Sequence, residues 1–250
     1  MFTESHSWYD PVYEAQGKDY AAESAKLRTL FESHGRTAPV LGRRPRWMDV
    51  ACGTGRHLEH LPDHDRMGVD LDPGMLELAR RRCPGVDFEV ADMRHLGRDD
   101  PRSPSSLGPG IRFDIVTCLF SAIAYMRDID ELDRSIASMS DRLLDGGMLL
   151  VEPFLTPEAV VEGRPWMTVI DRDDLKLARM DVPRLDGRRL DLEFHYLIAT
   201  SEGVEHRIEP HRITVFTIDE IGDAFRRAGL EWEHQPVGLS GRGLHLGIRP

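Results

Sequence analysis

The chain has 250 residues, 40% of them hydrophobic and 30% charged, the make-up of a globular protein with a sizeable core. Its 43 acidic against 32 basic side chains give a formal net charge of -11, which argues against wrapping nucleic acid or sitting on an anionic membrane surface. The nearest approach to a spanning helix, Ile115 to Met126, contains Thr117, Ser121 and Tyr125 and falls short of the roughly 20 apolar residues required. The first ten residues lack the basic start and apolar run of a secretory signal. Cys52, Cys83 and Cys118 are odd in number and have no metal-ligand spacing, so they read as reduced thiols in a cytoplasm, and no metal site is expected.

Short apolar runs alternate with helical patterns, which predicts an α/β fold with a largely parallel sheet. A first helix is expected from about Asp19 to Ser33, with Leu27, Leu30 and Phe31 on one face. Strands are expected at Trp47 to Ala51, Met67 to Asp70, Val86 to Val90, Phe113 to Cys118 and Met148 to Val151. A second helix starts near Asp72 with Pro73 at its first position, where the missing N–H costs nothing. Between Arg98 and Gly110, proline, serine, glycine and charge predict a mobile surface loop with its ends close together, dispensable for folding. The stripe Ile129, Leu132, Ile136, Met139 and Leu143 predicts a third helix, started by Asp128 and Glu131 and stopped by Gly146 and Gly147.

The pattern changes after about Pro157. Leu190, Leu192, Phe194, Tyr196 and Ile198 alternate with other residues in period 2, and Asp186-Gly187 and Glu202-Gly203 suit hairpin turns. Residues 165 to 216 therefore read as an antiparallel sheet inserted late in the α/β unit. The implied division is a main domain of residues 1–156 and 217–250 and an insert of 157–216 that serves the acceptor site or a dimer contact. Thr217 and Glu220 then form a capping box, Ile218, Ile221 and Phe225 a stripe, and Gly229 an end. Strands near Leu230 to His234 and Leu244 to Ile248 close the chain.

The first strand runs into Asp49-Val-Ala-Cys-Gly-Thr-Gly55, where Gly53 and Gly55 permit a tight turn and close approach of a ligand to the backbone. Leu58 stands where a dinucleotide site wants a third small residue, so the turn suits a methionine moiety with its amine and carboxylate better than a pyrophosphate. Asp70, at the end of the second strand, can accept both hydroxyls of a ribose, while Asp72 is better placed to cap the next helix. Asp92 and Met93, after the third strand, can receive the amine and the ring of an adenine. Either acid alone is commonly a cap or a solvated residue; three anchors in order at consecutive strand ends make a stronger signal.

With these motifs the chain resembles the S-adenosylmethionine-dependent methyltransferases of the Rossmann-like class. Gln-Gly-Lys-Asp-Tyr at 16–20, His57-Leu-Glu-His60, Asp92-Met-Arg94, Glu152-Pro153 and Ser240-Gly-Arg-Gly-Leu244 narrow the resemblance to the nucleotide-linked aminosugar N-methyltransferases of antibiotic pathways. The resemblance implies a mostly parallel seven-stranded sheet with helices on both faces, S-adenosylmethionine as cofactor, S-adenosylhomocysteine as its product, a thymidine-diphosphate aminosugar as acceptor, and a homodimer. It implies that Ala51, Leu71 and Leu119 join Asp49, Gly53, Gly55, Asp70, Asp92 and Met93 around the cofactor, with Tyr20 helping to enclose it.

Methyl transfer to an amine needs position more than acid–base assistance, because the methyl is already activated. No strong general base is therefore required. The segment Trp8 to Tyr13 is expected to fold over the cofactor as a lid before the first helix, and the family places a tyrosine aligned with Tyr13 beside the reacting amine. Tyr125 follows the fourth strand close to the methyl group, where some relatives carry histidine. Arg242 between Gly241 and Gly243 suits a diphosphate, with Ser240 adding a hydroxyl. Glu152 and Phe154 follow the fifth strand at the ligand edge, and His211 faces the sugar or serves the fold. The competing readings are methylation of a hydroxyl or carboxylate, an NAD-dependent oxidoreductase, which the missing third glycine disfavours, and a binding module without turnover.

Overall fold

The computed structural model describes residues 6–37, 42–97, 99–104, 107–108 and 110–250. In chain order the main body contains α1 (His6–Ala15), α2 (Tyr20–His34), β1 (Arg46–Val50), α3 (Arg56–Glu59), β2 (Asp65–Asp70), α4 (Pro73–Arg82), β3 (Asp87–Val90), β4 (Phe113–Cys118), α5 (Ile129–Ser140) and β5 (Leu143–Val151). The strands β6 (Trp166–Asp171), β7 (Lys176–Asp181), β8 (Arg184–Asp186), β9 (Arg189–Thr200) and β10 (Gly203–Thr214) follow. The chain ends with α6 (Ile218–Arg227), β11 (Glu231–Gln235) and β12 (Leu244–Ile248).

The main sheet has seven strands in the order β3-β2-β1-β4-β5-β12-β11. Its first five are parallel, and β12 runs antiparallel to both β5 and β11. Period-2 alternation sends Met48, Val50, Val116 and Cys118 into the core under α5 and α6, and Trp47 and Ile115 into the core under α2, α3 and α4. The chain order reverses between β1 and β4, so the loops that follow these strands diverge and leave a crevice. The five strands β6 to β10 form a separate antiparallel sheet, whose inner face packs on α1 through Val12 and on the main body through Ala124.

Local signals fixed most of these elements. Asp72 caps α4 by accepting from the Gly74 and Met75 N–H groups, with Pro73 in the first turn. Thr217 and Glu220 make the reciprocal capping box of α6. Both glycine hairpin turns fall where expected, with Gly187 at φ 61° and Gly203 at φ 138°.

Three expectations need correction. The segment around Tyr13 is a helix of its own, α1, and it contains Pro11. The helix α5 stops at Ser140, and Leu143 opens β5 instead of extending the helical stripe. Gly146 therefore lies inside a strand, at φ 77°, where its carbonyl accepts from the Arg36 N–H and a Cβ would stand 2.5 Å from the Arg36 backbone. The segment from Arg98 to Gly110 is the third. Arg98, Ser105, Ser106 and Pro109 lie outside the described residues, but Leu107 is fully buried against the core. The buried guanidinium of Arg142 donates to the Leu107 carbonyl at 2.6 Å, to Ser103 Oγ at 2.7 Å and to the Leu96 carbonyl. The described residues Ser103 and Leu107 are thus anchored on a buried cation and, at Leu107, are not at the surface.

Replacing Arg142 with methionine should leave these acceptors buried and unpaired. The expected loss is about 3 kcal/mol of stability, read as a lower denaturant midpoint. An unchanged midpoint would mean that the segment contributes nothing to folding.

Candidate active site

Two chambers open along the carboxyl ends of the central strands. The first, about 270 Å³, is lined by Tyr9, Ala51, Gly53, Asp70, Leu71, Asp92, Met93, Leu119, Phe120 and Tyr125, among others. The glycine turn enters it with Ala51 at φ 57°, Gly53 at φ 54° and Gly55 at φ 75°. Ala51 holds a left-handed conformation that ordinarily favours glycine, a strain typical of ligand sites. Asp70 fixes the turn: its Oδ2 accepts from the Gly53 N–H at 2.8 Å and its Oδ1 from the Asp72 N–H at 2.9 Å. Burial pushes the Asp70 carboxyl up, and these N–H groups hold it down in part.

Gly55 works differently from Gly53, because a Cβ there would stand 3.2 Å from the Ala79 side chain of α4. Asp92 lines the same chamber and is already engaged by a neighbour. Its carboxylate is gripped by the Arg94 guanidinium at 2.5–3.0 Å, and Arg94 also reaches Glu131 on α5 at 2.7 Å. Burial raises the Asp92 carboxyl, but the bonds from Arg94 outweigh it and leave the acid below its ordinary range. Met93 lines the same chamber.

A small pocket that shares Tyr9, Gly53 and Phe120 with this chamber is lined also by Tyr20, Asp49, Thr54, Arg56 and His57. Asp49 is buried and accepts from Thr117 Oγ1 at 2.7 Å; burial pushes its pKa up to about 6. The Tyr20 hydroxyl is buried without a hydrogen-bond partner among the described residues. Glu23 holds His57 Nε2 at 2.7 Å and Lys18 Nζ at 2.8 Å, and that ammonium lies 4.1 Å over the Phe120 ring.

The second chamber is larger, about 830 Å³, and lies between α1, the strand-end loops and the inner face of the antiparallel sheet. Tyr13, Tyr125, Phe154, His211, Ser240 and Arg242 all line it, so the structure brings these expected residues together. Arg164, Arg179 and Asp181, which sequence reasoning missed, line it too. Arg179 and Asp181 share the inward face of β7 with Leu177, so the period-2 face carries charged residues at two of its three positions. Arg179 Nη1 stands 3.4 Å from the Tyr13 hydroxyl, which burial makes harder to ionise and Arg179 easier, burial dominating.

The loop after β11 holds Arg242 over the chamber. Its guanidinium donates to Ser121 Oγ at 2.8 Å and lies 5.5 Å from both the Phe120 and Phe154 rings. Glu152, expected at the acceptor, has no exposed surface. Its oxygens instead accept from the Phe120 N–H at 2.8 Å and from Ser240 Oγ at 2.5 Å, so Glu152 shapes the wall and Ser240 is partly engaged in holding it. Phe120 and Tyr125 line both chambers and mark their junction. Among the described residues no cluster of three or more His, Cys, Asp or Glu could hold a metal ion, and no helix is long and apolar enough to cross a membrane.

Residues 48–147 match the family described as Methyltransferase domain. The chain is 37% identical, over 96% of its length and 89% of the relative's, to dTDP-3-amino-3,6-dideoxy-alpha-D-glucopyranose N,N-dimethyltransferase of Streptomyces fradiae. It is 32% identical, over 96% of its length and 91% of the relative's, to dTDP-4-amino-2,3,4,6-tetradeoxy-D-glucose N,N-dimethyltransferase of Saccharopolyspora spinosa. Its fold matches the crystal structure of Streptomyces venezuelae DesVI with a TM-score of 0.86 at 34% identity, covering 98% of both chains. It matches CalS10 with bound S-adenosylmethionine, an amino pentose methyltransferase from Micromonospora echinaspora, with a TM-score of 0.82 at 31% identity, covering 97% of this chain and 96% of the other. A glycine turn and three strand-end acids around one crevice, beside a chamber walled by arginine and aromatic side chains, agree with these matches: the chain belongs to the family of S-adenosylmethionine-dependent aminosugar N-methyltransferases.

Proposed function

We propose that this enzyme methylates, twice, the amino group of a thymidine-diphosphate-linked deoxyaminosugar made for a natural product. The observation that carries the reading is the junction of the two chambers at Phe120 and Tyr125, with cationic side chains lining the acceptor side. Arg164, Arg179 and Arg242 suit a diphosphate better than a neutral acceptor. The dinucleotide reading is set aside by family membership.

The residues present fit the cofactor. The Tyr20 hydroxyl, without a hydrogen-bond partner among the described residues, and the buried Asp49 carboxylate, held by Thr117 through one oxygen, line the small pocket, where a methionine carboxylate and amine would meet them. Asp70 keeps further acceptor capacity for ribose hydroxyls beyond the N–H bonds that orient it. Ala51, Gly53 and Gly55 shape the turn, while Leu71, Met93 and Leu119 supply apolar walls. When bound there, S-adenosylmethionine supplies an activated methyl group on a sulfonium. Asp92 serves the adenine end through the arrangement it imposes on Arg94 as well as by its own oxygens.

The protein's part is to place the nitrogen. Tyr13 and Tyr125 flank the junction, Phe154 offers a flat surface to a sugar or base, and Arg242 grips phosphate from a loop whose glycines at 241 and 243 take φ near 83°. Orientation of this kind is worth on the order of 7–11 kcal/mol without a strong base. In this reading residues 157–216 form the insert, whose inner face is the floor of the acceptor chamber. We also propose a homodimer in the cytoplasm; Trp166, Met167 and Val204 on the antiparallel strands leave apolar surface for a second copy.

Incubation with S-adenosylmethionine and a panel of thymidine-diphosphate 3- and 4-amino sugars should add two methyl masses to one of them. No mass gain on any member would sink the substrate assignment. Arg242→Ala should raise KM for that sugar nucleotide by about 10- to 100-fold, the worth of a charge-assisted contact, with a smaller effect on kcat. Asp49 predicts a pH effect: its carboxylate is ionised above about 6 and loses its charge as pH falls through that value. Affinity for S-adenosylhomocysteine, whose amine is cationic, should therefore fall below pH 6, by at most about tenfold per unit, and Asp49→Asn should flatten this slope. Titration calorimetry at three pH values checks both.

A further inference from the structure

Tyr125 stands where the chambers meet, and its hydroxyl lies 2.7 Å from Nδ1 of His211. His211 is almost fully buried on the inner face of β10, with the Phe194 ring 4.8 Å from its own. On the other side of the imidazole, Nε2 lies 3.9 Å from the carboxylate of Glu209. Glu209 precedes His211 by two residues on the same strand, so both point inward. A carboxylate facing Nε2 favours the tautomer protonated there, which leaves Nδ1 to accept from the Tyr125 O–H. At 3.9 Å the carboxylate acts on the imidazole through its charge and not through a direct hydrogen bond, while the Tyr125–His211 contact is within hydrogen-bond distance.

We propose that His211, oriented by Glu209, is the terminal proton acceptor for the reacting sugar nitrogen, and that the Tyr125 hydroxyl passes the proton to it. The proposal rests on the reading above and deepens it, because two methylations impose a need that one does not. A neutral amine can enter with its lone pair free. After it gains a methyl it is a cationic N-methylammonium, and it must lose a proton before it can be methylated again. In the step assigned here, the ammonium N–H bond breaks and its proton joins the Tyr125 oxygen. The proton of Tyr125 moves at the same time to His211 Nδ1. The nitrogen keeps the bonding pair as its lone pair, and one cation, the ammonium, is replaced by another, the imidazolium.

The charged and titratable surroundings set the protonation of each member at rest. Burial holds His211 below its ordinary range and therefore neutral at rest, while Glu209 raises it and Arg179 on β7 lowers it. Burial also keeps Tyr13, Tyr125 and Tyr196 protonated, so Tyr125 serves as a carrier and not as a resident phenolate.

His211→Gln keeps a side-chain amide near Tyr125 but cannot take up a proton. With dTDP-3-amino-3,6-dideoxy-alpha-D-glucopyranose and S-adenosylmethionine, monomethyl and dimethyl products are followed by mass spectrometry between about pH 6 and 10. The wild type should proceed to the dimethyl product. The variant should accumulate monomethyl product, with the second rate lowered at least about tenfold relative to the first near pH 7, and the deficit should close as pH rises and solvent deprotonates the amine. Equal losses in both rates at every pH, or an unchanged product ratio, would overturn the relay. Should His211→Gln fail to melt cooperatively, Glu209→Gln, which leaves both members of the Tyr125–His211 contact in place, must show the same pH-dependent accumulation, and its absence overturns the relay equally. Wild-type enzyme that methylates neither this sugar nor any of the panel would remove the substrate reading and the relay together; an active wild type with unaltered variants removes the relay alone.

Discussion

Glu152 is fully buried at the end of β5, and both of its oxygens hold parts of the acceptor wall. One accepts from the Phe120 N–H, in a left-handed residue just beyond β4, and the other from Ser240 in the loop before β12. Its backbone continues the link: the Glu152 N–H reaches the Cys118 carbonyl and its carbonyl accepts from Ser121. A buried carboxylate is tolerated only when such donors surround it. Through these bonds Phe120, Ser121 and Arg242 are fixed relative to one another, so the mouth of the acceptor chamber is built from three distant parts of the chain.

The non-glycine residues with positive φ among those described are Ala51, Phe120 and Ser121. All lie just past the carboxyl ends of β1 and β4, the two strands between which the sheet reverses its order. Each such residue costs about 1–2 kcal/mol. That strain persists because neighbouring groups determine the backbone: Asp70 and the Val69 carbonyl on the β1 side, Glu152 on the β4 side. Side chains larger than glycine's are thereby presented to the ligand space at the points of closest backbone approach.

Much of this arrangement could be read from the chain, and the reasons are local. Strand ends, the Asp72 and Thr217 caps and the glycine turn are decided by residues within a few positions of one another, and the period-2 run in β9 states its own burial. The failures have long-range causes. Pro11 lacks a backbone donor and hid α1, which is held by Arg82 on Asp10 at 2.6 Å and by the packing of Val12 on the antiparallel sheet. Leu143 fits the helical stripe of α5 equally well, but pairing with Phe113 draws it into β5. Arg142 gave no sign that it would gather the carbonyls of a polar loop 31 to 46 residues away. Glu152 and Ser240 fall at the strand end and in the loop where the sequence put them, but their contacts with Phe120 and with each other span 32 and 88 residues and are made only in three dimensions.

The helix α1 brings these threads to one place. Tyr9 on one turn faces the cofactor chamber, Tyr13 on the next faces the acceptor chamber, and the helix is tied down by Asp10 to Arg82 and Thr54, by Glu14 to Arg56, and beyond its end by Gln16 to Thr168. These ties are polar, and the buried Val12 adds an apolar contact to the inner face of the antiparallel sheet. One short helix thus walls two compartments at once, so a change in its seating would alter both together.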